Sequence, residues 1–407
     1  METPYASFLY YMPTRLIFGM GTFNKLGDEV AQLGKRALLV TYADKNVAEL
    51  TQQAIDLLKQ SGVDAVVFDE VEANPAHTMI NKGGEIAREE KCEVIIGLGG
   101  GSAMDTAKAI SVIVNENIDI WAIVEGAPIT KPHLPVVVVP TTAGTGSEVT
   151  QYAVVSNRQL RRKIGFAKPQ FYPTVSIVDP LLTVSLPPAL TASIGMDVLT
   201  HAIEAYTSRL ASPISDLFAV EAIRLTAQNL RRAVQNGNDI EARRNMMLAN
   251  TLAGVAITHA DTCIVHVIGE VLGGIYDTGH GITMALLLPA VTEYNCVGNL
   301  EKYAHVSKLM GETVEGLSLR EAAMKAPAAI RNLIKDIGLP QGLAAIGVKD
   351  DLTNVLPLVT APGMTDSNPR CLGAKEFELI IKGSLSPAMS YCCLLYTSDA
   401  ADDLLCV

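Results

Sequence analysis

The chain has 407 residues, 49% of them hydrophobic and 18% charged, and carries a formal net charge of −11. That length and apolar fraction describe an ordered protein with about two domains and ample chain for sizeable cores. The acidic balance argues against a nucleic acid or an anionic membrane surface as partner, because either wants a basic face.

Seven cysteines, odd in number and irregularly spaced, form no C-x-x-C pair, so neither a disulfide framework nor a cysteine zinc site is expected. The stretch Met1–Phe8 lacks a basic region followed by an apolar run, and apolar runs such as Val136–Val139 and Ala285–Leu288 fall far short of a membrane span. The expected home is a reducing cytoplasm.

In chain order, Thr14–Gly19 reads as a short extended start and Phe23–Leu33 as a helix. Strand-like runs at Arg36–Thr41, Ala65–Phe68, Val94–Leu98 and Val136–Val139 then alternate with helical patterns at Val47–Gln60, Thr78–Glu90 and Ala103–Val114. This alternation predicts an α/β domain with a mainly parallel sheet flanked by helices. After Val175–Val178 and the breaker Leu186-Pro-Pro188 the texture changes. Helical patterns take over at Ala189–Arg209, Asp216–Asn236 and Asp239–Ala260 and continue beyond, with no convincing strand. The predicted division is 1–185 for an α/β nucleotide-binding domain and 186–385 for an all-helical one. The segment 386–407 holds three of the seven cysteines and continues no earlier pattern, so it reads as a non-native, frame-shifted or appended tail.

Two loops carry the first chemistry. Gly99-Gly100-Gly101-Ser102 follows the strand Val94–Leu98 and opens the helix that bears Asp105 and Lys108. Glycines there let a backbone approach a pyrophosphate, while the helix N-terminus supplies free N–H groups and a positive dipole end. Pro140-Thr-Thr-Ala-Gly-Thr-Gly-Ser-Glu148 follows Val136–Val139 in the same way and offers several hydroxyl donors. Ligands of open parallel sheets bind at the carboxyl ends of strands, where both loops fall.

A second constellation lies in the helical half. Asp197 and His201 stand four apart, one helical turn, on a common face. With His266 and His280 they make a set of one carboxylate and three imidazoles around one divalent ion. That donor set suits Zn or Fe(II), not the oxygen-seeking Ca or Mg.

Gly99-Gly-Gly-Ser-x-x-Asp105-x-Ala-Lys108, Pro140–Glu148, Asp197-x-x-x-His201-x-x-Glu204 and His266-x13-His280-Gly281 occur in this order. Together they resemble the iron-containing, group III alcohol dehydrogenases, from Pro13 to Arg370. The resemblance implies a dehydroquinate-synthase-like architecture with Asp197, His201, His266 and His280 as metal ligands. It implies that Gly99, Gly100, Gly101, Ser102, Asp105, Thr141, Thr142, Thr145, Ser147, Lys163 and Leu182 serve an NAD or NADP cofactor. It further implies a metal in the cleft between the two domains and a homodimer or larger assembly. The expected reaction is hydride transfer between the nicotinamide and a small alcohol, with its aldehyde or ketone as the other member of the pair. Alternatives are a glycerol-dehydrogenase-like or dehydroquinate-synthase-like enzyme, or an inactive binding module of the same fold.

Two departures stand out. Where many relatives place a second histidine four residues after the first ligand histidine, this chain has Glu270, a candidate proton relay or a partner that orients His266. Where NAD-preferring relatives often place an Asp after the first strand's Val-Thr, this chain reads Val40-Thr-Tyr42-Ala-Asp44, which leaves NAD against NADP open. His77, His133 and His305 read as surface residues.

Overall fold

A computed structural model describes residues 7–160 and 162–386, so the tail expected over 386–407 lies, past Ser386, outside the described residues. The elements are β1 (Arg15–Phe18), α1 (Leu26–Ala31), β2 (Arg36–Val40), α2 (Lys45–Gln60), β3 (Asp64–Phe68), α3 (His77–Glu89), β4 (Val94–Gly99), α4 (Gly101–Glu116), α5 (Ile120–Val124) and β5 (Val136–Pro140). Then come β6 (Tyr152–Asn157), β7 (Arg162–Ala167), β8 (Val175–Val178), α6 (Pro188–Thr207), α7 (Pro213–Gln235), α8 (Ile240–Ala260), α9 (Ile264–Tyr276) and α10 (His280–Asn295). The described chain closes with α11 (Leu300–Leu309), α12 (Leu319–Ala323), α13 (Lys325–Asp336), α14 (Leu356–Val359) and α15 (Ala374–Leu385).

The sheet has six strands in the order β1-β8-β5-β4-β2-β3, all parallel. Its middle strands are near-continuous Val, Ile and Leu because both faces are covered. One layer, with Ile80, Met104 and Ile110, packs on one face; the other, with Leu26, Leu58 and Phe23, packs on the opposite face. The strand order reverses between β2 and β4, so the loops after β2, β4 and β5 gather at the switch point where such sheets take ligands. The antiparallel pair β6–β7 and the short helix α5 add to the elements that the sequence pattern predicts.

From α6 onward the described elements are helical. Contacts divide the described residues into two compact units, one of residues 10–186 with 238–258, the other of 7–9, 187–237 and 259–386. Most of α8 thus packs with the sheet rather than with the helical half to which its sequence pattern assigns it. The physical reason is local. Asn250 Oδ1 accepts from the Gly146 N–H at 2.9 Å, and Asn250 Nδ2 and Thr251 Oγ1 each donate to Glu148 Oε1 at 2.8 Å. Gly146 (φ +62°) and Gly254 meet backbone to backbone; a Cβ on Gly146 would lie 2.5 Å from Gly254 Cα. Among the described residues no single helix is long and apolar enough to cross a membrane.

Candidate active site

In the sheet unit, β4 and β5 end level with each other, Gly99 pairing with Pro140. The Thr141 N–H donates to Gly99 O at 2.9 Å, which starts the threonine loop beside the glycine loop. Gly99 takes φ +149°, open only to glycine, and a Cβ there would lie 2.6 Å from the Tyr42 ring. A Cβ on Gly101 would lie 2.6 Å from Thr145 Cγ2, and one on Gly100 3.4 Å from Thr142. The absent side chains therefore let the Thr142–Thr145 segment close over the first turn of α4. That turn begins at Gly100 with no side-chain cap. Tyr42, whose phenol burial pushes above its ordinary pKa, reaches it and hydrogen-bonds with Ser102 and the backbone of Ala103 and Gly100.

The residues proposed to serve a cofactor separate into two kinds. Gly101, Ser102, Thr141, Thr142 and Thr145 are partly exposed at this turn. Asp105 and Ser147 lie behind it, 8% and 4% exposed. Ser147 Oγ donates to Asp105 Oδ1 at 2.6 Å, and the Val154 N–H donates to Asp105 Oδ2 at 3.0 Å. Lys108 is fully buried beside them, with Nζ 3.9 Å from Asp105 Oδ1. Burial pushes the Asp105 carboxyl up against the pull of Lys108, and pulls the Lys108 ammonium down to about 8. Lys163 donates to Asn74 Oδ1 at 2.8 Å, and its charge also reaches Asp105. Leu182 packs on the face of the sheet that carries α1 and α2.

In the helical unit, Asp197, His201, His266 and His280 offer one ligand atom each, all within 4.8 Å of one another. Three of them are buried and the His280 side chain is 26% exposed, so the cluster opens on one side. Asp197 Oδ1 lies 3.7 Å from His266 Nε2 and 3.6 Å from His280 Nε2, and the His201 and His266 rings stack at 4.5 Å. Close helix packing makes this possible. A Cβ on Gly281 would lie 2.5 Å from Ser193 O, bringing the start of α10 onto α6, and one on Gly269 would strike Met284, where α9 meets α10.

Among the described residues, His266 Nε2 is buried with no hydrogen-bond partner. An orphaned imidazole nitrogen facing a carboxylate and two more imidazoles is what a divalent transition metal would fill, and the donor set fits such an ion. Behind the ring, Glu204 is 3% exposed and its Oε2 accepts from His266 Nδ1 at 2.5 Å. Its Oε1 accepts from the Val265 N–H at 2.7 Å, so one carboxylate caps the uncapped N-terminus of α9 and fixes the ring's tautomer. Burial lowers the basicity of His266, but Glu204, Asp197 and Glu270 outweigh it and hold the pKa above the ordinary imidazole value.

Sequence reasoning missed the role of Glu204. The signal was there: Asp197, His201 and Glu204 recur at i, i+4 and i+7, one face of α6. Glu270, the candidate for orienting His266, sits partly buried one turn further along α9, while His266 Nδ1 is held by Glu204. The three histidines read as surface residues are half-buried instead. His77 stands 3.4 Å from Asp119 Oδ1, His133 Nδ1 3.1 Å from Leu134 O, and His305 Nδ1 2.8 Å from Tyr206 Oη.

Comparison with known proteins shows the family. Residues 13–180 match the family description "Iron-containing alcohol dehydrogenase", and residues 191–385 match "Fe-containing alcohol dehydrogenase family, C-terminal". The chain is 41% identical over 384 residues to the 1,3-propanediol dehydrogenase of Klebsiella pneumoniae, covering 93% of this chain and 99% of that one. It is 37% identical over 378 residues to the NAD-dependent methanol dehydrogenase of Bacillus methanolicus, covering 92% and 99%. The crystal structure of a 1,3-propanediol oxidoreductase superposes with a TM-score of 0.89 at 40% identity, covering 93% of this chain and all of that one. The chain therefore belongs to the iron-containing alcohol dehydrogenase family, as a metal-dependent, nicotinamide-linked oxidoreductase of alcohols and aldehydes.

Proposed function

We propose that this enzyme interconverts short primary alcohols and their aldehydes, with NAD as the preferred cofactor and one Fe(II) or Zn ion held by Asp197, His201, His266 and His280. The observation that carries the reading is the orphaned His266 Nε2 inside a cluster of donors 4.8 Å across. A divalent ion at these donors supplies Lewis-acid polarisation of an alcohol oxygen. The protein does the rest. Glu204 keeps the His266 proton on Nδ1 and so leaves Nε2 free to coordinate. The first turn of α4 and the threonine loop take the dinucleotide's phosphates. The exposed edge of His280 leaves the side by which a small substrate enters. Names of relatives that act on 1,3-propanediol and methanol support a small substrate.

The preference for NAD rests on a groove at the ends of β2 and β3, lined by Tyr42, Ala43, Asp44, Lys45, Asp69, Glu70 and Val71. Tyr42 takes the place after Val40-Thr41, yet Asp44 still reaches the groove. Glu70 pairs with Lys82 Nζ at 2.5 Å, and a lining of three carboxylates and one lysine makes the groove a poor seat for a ribose 2′-phosphate.

The test is elemental analysis of protein purified without oxygen, beside an absorbance assay with NADH and NADPH across short alcohols and aldehydes. The expected result is one iron or zinc per chain, with kcat/KM for NAD above that for NADP by about tenfold or more, as repulsion of a 2′-phosphate by an acidic groove demands. No metal together with no turnover of any pair overturns the reading.

Glu270 is the proposed proton relay, on the helical face it shares with His266. Glu270→Gln is expected to lower kcat about 10²-fold with metal content unchanged. Kinetics equal to wild type would return Glu270 to the helix surface.

A further inference from the structure

Asn368 is 0% exposed, yet it lies between α14 and α15 in a stretch that is neither helix nor strand. A buried amide persists only where its hydrogen-bonding groups are met. The partner is a second buried amide, Asn295, the last residue of α10. Each Nδ2 donates to the other's Oδ1 at 2.9 Å. Asn368 Nδ2 also donates to Arg370 O at 2.7 Å, which fixes the way the amide points. Beside the pair, Tyr294 Oη donates to Cys371 O at 2.6 Å. The Arg370 guanidinium lies 4.1 Å over the Tyr294 ring, with Nη1 donating to Tyr294 O at 3.1 Å.

The residue before Asn368 reaches the other way. Ser367 O accepts from the Arg209 N–H at 2.8 Å, just past the end of α6. Ser367 Oγ donates to Thr262 O at 2.6 Å, and Cys263 Sγ lies 3.5 Å from Ser367 O and 3.6 Å from Glu204 O. Residues 367–371 thus form a strap across the end of α6, the start of α9 and the end of α10. Those helices carry Asp197 with His201, His266, and His280. His266 follows Cys263 within the first turn of α9, whereas Asn295 and His280 stand at opposite ends of α10, roughly 22 Å apart along its axis.

We infer that Asn368 is a positioning residue for the metal cluster. Through Asn295 and Ser367 it sets where α10 and the start of α9 lie against α6. It acts on the ligands through these helices, with no bond of its own to the ion. A ligand set must be held to about 0.5 Å, so play at the strap is read as weaker metal binding. This rests on the reading that Asp197, His201, His266 and His280 hold a divalent ion.

The test is competition for Zn(II) between a chromogenic chelator and the wild-type enzyme, Asn368→Ala, Asn295→Ala and the double variant, all well below their melting temperatures. The expected result is a Kd for zinc raised roughly 10-fold in each single variant. The double variant is expected to lose no more than either alone, because the two amides act as one pair. Losses that add would separate the amides and overturn the inference. A residue important only for stability would lower the melting temperature of the metal-free protein and leave the zinc Kd of the folded protein alone. If wild type takes up no zinc, the metal reading fails and takes the inference with it. If wild type binds and the variants bind equally well, the inference alone fails. Should Asn368→Ala not fold, Ser367→Ala decides, since it removes only the bond to Thr262 O. A Kd raised about 3- to 10-fold supports the strap, and an unchanged one overturns it.

Discussion

His266→Ala is expected to leave the enzyme without stoichiometric metal and to lower kcat/KM by about 10³-fold or more, some 4 kcal/mol of transition-state stabilisation. His266 Nε2 is the orphaned atom of the cluster, 3.7 Å from Asp197 Oδ1, and its ring is stacked on His201. Its removal takes away one of the four proposed ligands and the wall against which a second is packed. The fold should survive, because Glu204 keeps its bond to the Val265 N–H and continues to cap α9. Elemental analysis, circular dichroism and the nicotinamide assay on one preparation read all three. A folded variant that keeps its metal and its activity would sink the ligand assignment.

Glu204→Gln is expected to weaken metal affinity about 10- to 100-fold, the usual cost of losing a carboxylate behind a ligating histidine. The two side chains have nearly the same volume, so packing in a site 3% exposed is not disturbed. The hydrogen-bond polarity is. The Glu204 carboxylate accepts from both the Val265 N–H and His266 Nδ1. A glutamine whose carbonyl accepts from Val265 presents its amide N–H to Nδ1. The ring then answers by moving its proton to Nε2, which closes the nitrogen meant for the metal. Competition with a chelator, followed by metal content, gives the number. Affinity equal to wild type would show that the tautomer is set elsewhere.

The parts of this protein that were legible in its sequence share a physical cause: a periodicity or a chemistry confined to neighbouring residues. The strands β2, β4, β5 and β8 are mainly apolar runs buried on both faces. The glycine loop reads from its place between β4 and α4, and the cluster of Asp197, His201, His266 and His280 from their residue types. Glu204 was legible and passed over, since its period matches Asp197 and His201 but glutamate on a helix usually faces solvent. The hairpin β6–β7 was hidden because Arg162-Lys-Ile-Gly-Phe-Ala167 is half exposed and mixes polar with apolar side chains. The allegiance of α8 could not be read at all. Asn250 and Thr251 in a helix carry no mark of the carboxylate that waits for them in another part of the chain.

That allegiance has a consequence for how the protein is made. The hydrogen bonds that seat α8 on the sheet join residues 102 to 104 positions apart, across the whole of α6 and α7. During synthesis the nucleotide-binding half cannot complete itself when residue 186 leaves the ribosome, because Glu148 is still without the two side chains that satisfy it. The first half of the enzyme is finished by a segment of the second. A gene cut at the apparent boundary would encode a first fragment that lacks the helix completing it.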